Sequence, residues 1–184
     1  MCESTLPVVR RSVGMVFQDP DDQLFMPTVE EDVAFGPLHL GLAQGQVKQR
    51  VDHALETTGI GHLRRRPPYR LSGGEKRAAS IATVLSIWPD ILVLDEPSAF
   101  LDPRSRGRLI DLLNTFHHTK IIATHDLDLA LRLCGRAIVL SEKTVCGDDT
   151  IHAVLRDTTL LRNAGLEPPS TGSCPVCGRS GQVV

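Results

Sequence analysis

The most informative segment of this 184-residue chain reads ILVLDEP and covers residues 91–97. Its first four residues are apolar, which is typical of a strand that a parallel sheet buries on both faces. Asp95 and Glu96 follow at the C-terminal tip of that strand, the edge at which open parallel sheets bind their ligands. Asp95 offers the oxygen ligands that Mg²⁺ prefers, and Glu96 can orient and polarise an attacking water. The alternative is that two acidic residues simply end a buried strand at solvent.

Strands and helices alternate around this segment. In the second half of the chain, apolar strands are predicted at residues 91–94, 121–124 and 137–140, and helices at residues 103–116 and 126–134. This order predicts right-handed crossovers and one parallel sheet with helices on its faces. In the first half, the pattern predicts a strand at residues 13–17 and helices at residues 29–35, 46–58 and 75–87, with the sequence Gly36-Pro37 ending the first of these helices.

A second segment, LSGGE at residues 71–75, directly precedes the apolar helix. Its glycines and Ser72 therefore lie at a helix N-terminus, where backbone N–H groups and the helix dipole attract phosphate. The alternative is an ordinary helix start, with Ser72 as N-cap and Glu75 as the matching acid of a capping box. Both interpretations can hold together.

Two further polar residues follow predicted strands. Gln18 comes after the first strand, and its amide can bind an ion or a water; the alternative is a plain polar loop residue. His125 comes after the strand at residues 121–124, where it could contact a terminal phosphate or hold the water-orienting acid. A single histidine is more often structural.

Composition and charge exclude several classes of protein. The net charge of -2 and the pI near 6.4 provide no field that attracts a polyanion, so nucleic-acid binding is not expected. No apolar run approaches the roughly 20 residues of a bilayer helix, and the first residues lack the pattern of a signal peptide. We therefore predict a soluble cytoplasmic protein whose five cysteines are reduced.

The set of motifs, taken in order, closely resembles the ATP-binding-cassette (ABC) ATPases between residues 13 and about 140. By that resemblance Gln18 is the Q-loop, residues 71–75 are the signature motif, and residues 91–96 are the Walker B strand with the catalytic glutamate, Glu96. Residues 98–102 resemble the D-loop, and His125 the switch histidine. The resemblance implies ATP and Mg²⁺ as cofactors, with Asp95 and Gln18 at the ion. The residues that it places at the nucleotide are Gln18, Leu71, Ser72, Gly73, Gly74, Glu75 and Asp102.

A narrower resemblance concerns the segments FQDPDDQLF at residues 17–25 and TVEEDVAFGP at residues 28–37. They look like the energy-coupling-factor branch, especially its cobalt and nickel importers. This resemblance implies a subunit on the inner face of the cell membrane that hydrolyses ATP to energise import. The imported solute would be a metal ion, with a vitamin as the alternative. Its partners would be a second ABC ATPase subunit, identical or different, and a membrane coupling protein that contacts a helical subdomain at about residues 28–70.

The phosphate loop of the family, Gly-x-x-Gly-x-Gly-Lys-Ser/Thr, does not occur in these 184 residues. We therefore expect a partial ABC ATPase domain over residues 1–166, with a P-loop NTPase-like parallel sheet that lacks the N-terminal strands. Two functions stay open: an ATP-hydrolysing subunit, or a non-hydrolysing subunit that lends its signature motif to a complete partner ATPase. A cassette protein of DNA repair or translation is a third hypothesis, which the segment at residues 19–37 disfavours.

The last residues, 167–184, are rich in Pro, Gly and Ser and are predicted to form a flexible tail. Cys174 and Cys177 in this tail resemble half of a zinc knuckle. Structural Zn²⁺ takes four ligands, and a second pair at knuckle spacing is absent from the sequence. A zinc site completed by another chain or a distant His, and a plain pair of cysteines, are the alternatives.

Overall fold

The computed structural model describes residues 5–167. It divides the chain into two compact units, of which the first ends at Ala123 and the second begins at Thr124. Cys174 and Cys177 lie outside the described residues, together with the rest of the predicted tail from residue 168 onward. The zinc hypothesis and the predicted domain boundaries therefore stay predictions.

The first unit is a parallel sheet flanked by helices, which confirms the predicted fold class. Its three strands pair in the order β1–β2–β3, and every pairing is parallel. In chain order, the elements of this unit are α1 (Leu6–Ser12), β1 (Val13–Val16), α2 (Val29–His39), α3 (Gln44–Thr57), α4 (Gly73–Leu85), β2 (Ile91–Asp95), α5 (Pro103–Thr115) and β3 (Thr119–Ala123).

The two faces of this sheet differ in burial. Val16, Leu92 and Leu94 are fully buried on one face, on the side where α4 packs against β1. The opposite face carries a row of aligned residues that includes Met15 on β1 and Ile121 on β3. Met15 is 46% exposed and Ile121 is 54% exposed, so this face of the sheet stays largely open to solvent.

Helices α2, α3 and α4 enclose a second apolar core, in the region where a helical subdomain is predicted. Thr28 is the N-cap of α2, and its hydroxyl oxygen accepts a hydrogen bond from the Glu31 amide at 3.3 Å. The core that the three helices share consists of Leu24, Val29, Val33, Val47, Val51, Ala54, Leu55, Ile60, Leu63, Leu71, Ala79 and Ala82. Leu71 belongs to the predicted signature motif, so this core anchors the motif.

The prediction that Gly36-Pro37 ends the first helix is wrong, because α2 continues to His39. Proline inside a helix removes one backbone hydrogen bond, a cost that packing has to offset. Here Pro37 is itself buried, and Gly36 lies so close to the segment that follows α4 that an added Cβ would stand 2.5 Å from Ile87 Cγ2. Tertiary packing therefore overrides the local signal of these two residues.

The second unit consists of α6 (Leu127–Leu133), β4 (Arg136–Ser141), β5 (Thr144–Thr150), α7 (Ile151–Arg156) and α8 (Thr158–Asn163). The prediction that the strand at residues 137–140 joins the parallel sheet is wrong. This strand, β4, pairs antiparallel with β5 across a turn at Glu142 and Lys143, which have φ values of 47° and 64°. Such a turn matches the twist of a hairpin, but it usually carries Asn-Gly or Asp-Gly. The sequence pattern therefore did not predict β5.

No helix among residues 5–167 combines the length and the apolar character of a membrane-spanning segment.

Substitution of Gly14 by alanine is expected to destabilise the fold. Gly14 lies in β1 under α4, where an added Cβ would overlap Val84 Cγ1 and stand 3.1 Å from Pro89 Cγ. Overpacking of this kind lowers the free energy of unfolding by about 1–3 kcal/mol. The matched control is Gly107→Ala in α5, where an added Cβ meets no atom within 4 Å. Since alanine favours a helix interior over glycine by roughly 0.5–1 kcal/mol, this control should raise stability. Urea unfolding of both variants measures the difference, and equal midpoints would contradict the packing argument.

Candidate functional site

The tips of the three parallel strands meet at one edge of the sheet in the first unit. Val16 on β1 lies opposite Leu94 on β2. Gln18 comes two residues after Val16, and Glu96 comes two residues after Leu94. The Glu96 amide donates a hydrogen bond of 2.9 Å to the Ala123 carbonyl at the end of β3. The structure therefore brings Gln18, Asp95 and Glu96 to the same edge, whereas their catalytic roles stay predictions.

Glu96 has a strained backbone, with a φ of 40°. For residues with a side chain, the left-handed region costs roughly 1–2 kcal/mol, and such strain occurs most often at active sites and switch regions. The strain arises at the point where β2 ends and the chain turns toward α5. The strained backbone is consistent with the prediction from the sequence that Glu96 orients the attacking water.

Asp95 fits the role of a Mg²⁺ ligand. It is partly buried at the last position of β2, and no residue in the described range 5–167 hydrogen-bonds or ion-pairs with its carboxylate. Within the same range no cluster of three or more His, Cys, Asp or Glu side chains could hold a metal ion. One or two protein oxygens suit Mg²⁺, because this ion usually keeps several waters and takes further oxygens from phosphate.

His125 belongs to the second unit, two residues after the end of β3. It is exposed and precedes α6, whose N-cap is Asp126. Its predicted contact with Glu96 or with a phosphate therefore stays a prediction.

The signature segment forms the N-terminus of α4, as predicted. The Ser72 hydroxyl oxygen accepts from the Glu75 amide at 3.4 Å, and the Glu75 carboxylate accepts from the Ser72 amide at 2.7 Å and from its hydroxyl at 2.8 Å. This capping box confirms the structural interpretation of the segment. Because the Ser72 hydroxyl donates to Glu75, it must turn away before it can donate to a phosphate.

The two glycines of this segment have different surroundings. Gly73 is exposed, and an added Cβ would meet no atom within 4 Å. Gly74 faces α5, where an added Cβ would stand 2.5 Å from Ser105 Oγ. Ser72, Gly74 and Glu75 line one wall of a cleft of about 780 Å³, and Leu101 and Ser105 line another part of it. The signature segment thus presents Gly73 to solvent and packs through Gly74.

A buried arginine, which the sequence analysis missed, connects the segment after β1 to α4, the helix that begins with the signature segment and is called the signature helix below. Arg77 is only 2% exposed, and its guanidinium donates to the carbonyls of Phe17 at 2.7 Å and Gln18 at 2.6 Å. Burial lowers the pKa of Arg77. Arginine often occurs as an exposed helix residue, so nothing in the local pattern distinguishes it.

The side chains of Gln23 and Lys76 add further contacts to this connection. The Gln23 side chain accepts from the Phe17 amide at 3.2 Å and donates to the Ser80 carbonyl at 2.8 Å and to the Thr83 hydroxyl at 2.7 Å. Lys76 forms an ion pair with Asp21, with an N–O distance of 2.6 Å. These contacts connect the segment that contains Gln18 to α4, the helix that begins with the signature motif.

The segment at residues 96–102 leads from Glu96 into α5. Asp102 caps that helix: its carboxylate accepts from the amides of Arg104 at 2.9 Å and Ser105 at 3.1 Å, and from the Ser105 hydroxyl at 2.6 Å. The Ser105 hydroxyl is the main cause of the lowered pKa of Asp102. Asp102 thus has a structural function, and its predicted contact with nucleotide stays a prediction.

Replacement of Arg77 by methionine should destabilise the chain by roughly 2–4 kcal/mol, because two carbonyls lose their charged donor inside the protein. The matched control is Lys76→Met on the same helix. It removes an ion pair to Asp21, whose side chain is largely exposed, and such pairs contribute about 0–1 kcal/mol. Chemical denaturation compares the two variants. A loss at Arg77 no larger than that at Lys76 would show that the buried contact does not hold the two segments together.

The capping box should make stability depend on acid pH. Hydrogen bonds from the amide and hydroxyl of Ser72 lower the pKa of Glu75 below its ordinary value of 4.5. The ionised form is therefore favoured in the folded state, and its contribution is complete above pH 4.5 and lost as the pH falls through the lowered pKa. Thermal unfolding of the wild type and Glu75→Gln between pH 7 and pH 3 measures this effect. We expect the wild type to lose more stability on acidification than the variant, and parallel curves would refute the linkage.

Comparison with known proteins agrees with this geometry. The family model described as ABC transporter matches residues 2–99. A putative ABC transporter ATP-binding protein of Geobacter sulfurreducens is 59% identical over 177 residues, which cover 96% of this chain and 71% of that protein. A putative ABC transporter ATP-binding protein of Streptomyces avermitilis is 52% identical over 88% of this chain and 62% of its own length. The chain is thus shorter than these relatives.

Two further similarities are to a named transporter protein and to a solved structure. The energy-coupling factor transporter ATP-binding protein EcfA2 of Methanospirillum hungatei is 42% identical over 90% of this chain and 42% of its own length. The solved structure of cbiO1 from Clostridium perfringens, part of the ABC transporter complex cbiONQ, superimposes with a TM-score of 0.77 and 38% identity. This match covers 88% of the present chain and 66% of cbiO1. The match to the family model and the similarity to the Geobacter relative show that the chain belongs to the ATP-binding proteins of ABC transporters.

Proposed function

We propose that this chain is the ATP-hydrolysing subunit of an importer for cobalt or nickel ions and works in a pair with a second ATP-binding subunit. The observation that carries the proposal is the position of Gln18, Asp95 and Glu96 at one edge of the sheet. Arg77 on α4 hydrogen-bonds to the Gln18 carbonyl and so connects this edge to the helix that begins with the signature motif. Similarity to EcfA2 and to cbiO1, part of the ABC transporter complex cbiONQ, supports a transporter of the energy-coupling-factor branch. The choice of cobalt or nickel rests on the resemblance of residues 17–25 and 28–37 to importers of these ions. In this proposal the chain does not bind the imported ion itself.

The reacting groups take the following roles in this proposal. Asp95 and Gln18 would hold Mg²⁺, which would neutralise charge on the phosphates of ATP. Glu96 orients the attacking water and accepts its proton, since a carboxylate at the strand tip lies where the ligands of parallel sheets bind. His125 contacts the terminal phosphate or holds Glu96 in position.

The signature motif acts on the ATP that the second subunit holds. Gly73 is exposed and lets a phosphate approach the backbone of α4, and the Ser72 hydroxyl can donate to that phosphate after it leaves Glu75. The 184 residues contain no sequence of the phosphate-loop type. In this proposal, a phosphate loop that these residues do not contain would hold the triphosphate that faces Glu96.

A membrane coupling protein binds the surface formed by α2 and the loop before it. Asp32 is buried, and its Oδ1 accepts from the amides of Phe25 and Met26, both at 3.0 Å. The Phe25 ring is exposed and meets Phe35 edge-on at 4.9 Å between centroids. A fixed loop with an exposed aromatic side chain suits a protein interface. This contact would place the chain at the cytoplasmic face of the membrane.

Substitution of Glu96 by glutamine tests the catalytic role. Complexes are purified through a tag on this chain, and phosphate release from MgATP is compared between wild type and variant. We expect a decrease of roughly 10²-fold or more with ATP binding retained, because the variant cannot accept the proton of the water. Glu142→Gln in the β4–β5 turn is the matched control and should hydrolyse ATP like the wild type.

Unchanged phosphate release in Glu96→Gln would refute hydrolysis by this residue and favour the non-hydrolysing subunit instead. Substitution of Ser72 by arginine then provides the second measurement. If that variant loses phosphate release while Glu96→Gln retains it, the chain contributes only its signature motif to the partner's ATP.

A further inference from the structure

The connection between α3 and α4 concentrates positive charge on the surface of the first unit. Residues 61–70 read GHLRRRPPYR and contain four arginines and no acidic residue, in a chain whose net charge is -2. Arg64 is neutralised by ion pairs with Glu30 and Asp52. The other three arginines are exposed, and no residue that the structure describes forms an ion pair with them: Arg65, Arg66 and Arg70. These three residues and Tyr69 are called the basic loop below.

The backbone of the basic loop is held in place by the first turn of α2. The Val29 amide donates a hydrogen bond of 3.0 Å to the Arg66 carbonyl, and the Glu30 amide donates one of 2.8 Å to the Arg64 carbonyl. The loop closes with a single 3-10 turn at Pro68–Arg70, whose first residue is buried. The arginines are therefore presented on a backbone that is already ordered, which lowers the entropic cost of binding a partner.

The side chains of the basic loop match the chemistry of anionic lipid headgroups. The guanidinium of arginine binds phosphate groups well, and tyrosine is enriched where a membrane meets water. Tyr69 is 75% exposed, and the guanidinium carbon of Arg70 lies 5.8 Å from the centroid of its ring. A nucleic acid fits less well, because it favours a long basic surface and this chain is acidic overall.

The basic loop lies beside the surface that the proposed function turns toward the membrane. That surface is formed by α2 and the loop before it, which the Asp32 carboxylate holds through the Phe25 and Met26 amides. The basic loop is bonded to the same helix through the Val29 and Glu30 amides. A membrane next to the coupling protein would therefore come within reach of the exposed arginines.

We propose that the basic loop binds the phosphate headgroups of anionic lipids around the membrane coupling protein. The inference rests on the proposed function, because that function places α2 at the membrane. Each arginine near an anionic bilayer surface strengthens binding about fivefold. The attraction extends only about 8 Å at physiological ionic strength, so it acts on a chain that is already close to the membrane.

The experiment measures cosedimentation of the purified 184-residue chain with lipid vesicles. One set of vesicles contains phosphatidylglycerol and phosphatidylcholine in equal parts, and the other contains phosphatidylcholine alone. We expect the wild type to bind only the first set, and to bind it about tenfold or more weakly when the salt concentration rises from about 0.05 M to about 0.5 M. Equal binding to both sets, or no binding to either, would overturn the proposal.

Substitution of all three arginines tests the basic loop itself. The triple variant Arg65→Gln, Arg66→Gln, Arg70→Gln should bind the anionic vesicles about tenfold or more weakly, and the corresponding triple lysine variant should stay within about threefold of wild type because it keeps the charge. The matched control removes three exposed arginines of the second unit and should bind like the wild type: Arg132→Gln, Arg156→Gln and Arg162→Gln. Equal binding of the two glutamine variants would overturn the proposal.

Two further measurements exclude other roles of the arginines. Thermal unfolding of both glutamine variants should occur near the wild-type temperature, because exposed side chains without ion pairs contribute little to stability. A clearly lower temperature for the basic-loop variant alone would assign these arginines a structural role and overturn the proposal. Inorganic phosphate at constant ionic strength should leave vesicle binding unchanged, and displacement of the vesicles would show that the loop binds free phosphate instead.

The vesicle data distinguish failure of this inference from failure of the proposed function, because phosphate release in Glu96→Gln is measured separately. Loss of phosphate release in Glu96→Gln together with no preference for anionic vesicles would refute the lipid contact alone. Retained phosphate release together with arginine-dependent vesicle binding would refute the catalytic role and leave the lipid contact standing. Unchanged vesicle binding of the basic-loop glutamine variant with weaker capture of the membrane coupling protein would assign the arginines to that protein, which also overturns the proposal.

Discussion

The buried guanidinium of Arg77 is the interaction on which the arrangement of the site depends. It reaches from α4 to the carbonyls of Phe17 and Gln18, directly after β1 leaves the sheet. A charge in this place is tolerated because two carbonyl dipoles replace part of its hydration. As a result, the signature helix and the Gln18 segment cannot shift independently without leaving a buried polar group unsatisfied.

The sequence predicted those parts of the site that depend on local order along the chain. The apolar run before Asp95 predicted a buried strand, and parallel pairing then had to place its tip beside that of β1. The Ser72–Glu75 capping box was also readable, because its partners are three residues apart. Both features follow from short-range spacing and need no knowledge of distant contacts.

What the sequence did not predict depends on contacts between distant segments. Arg77 binds residues about 60 positions away, so its burial leaves no mark on the helical pattern. Helix α2 continues through Pro37 because Gly36 packs against Ile87. Strand β5 reads TVCGDDT, with no alternation of apolar and polar residues, and its pairing with β4 follows a turn without glycine or asparagine. In each case, tertiary packing overrides a weak local preference.

The order of strands in the sheet has a consequence for how the chain acquires its structure. β1 and β2 are neighbours in the sheet, although α2, α3 and α4 all lie between them in the chain. Such long-range pairing requires closure of a large loop and is therefore slow, whereas the three helices assemble through closer contacts. During synthesis β1 leaves the ribosome well before its partner, so its unpaired edge has to be shielded from other chains until β2 emerges.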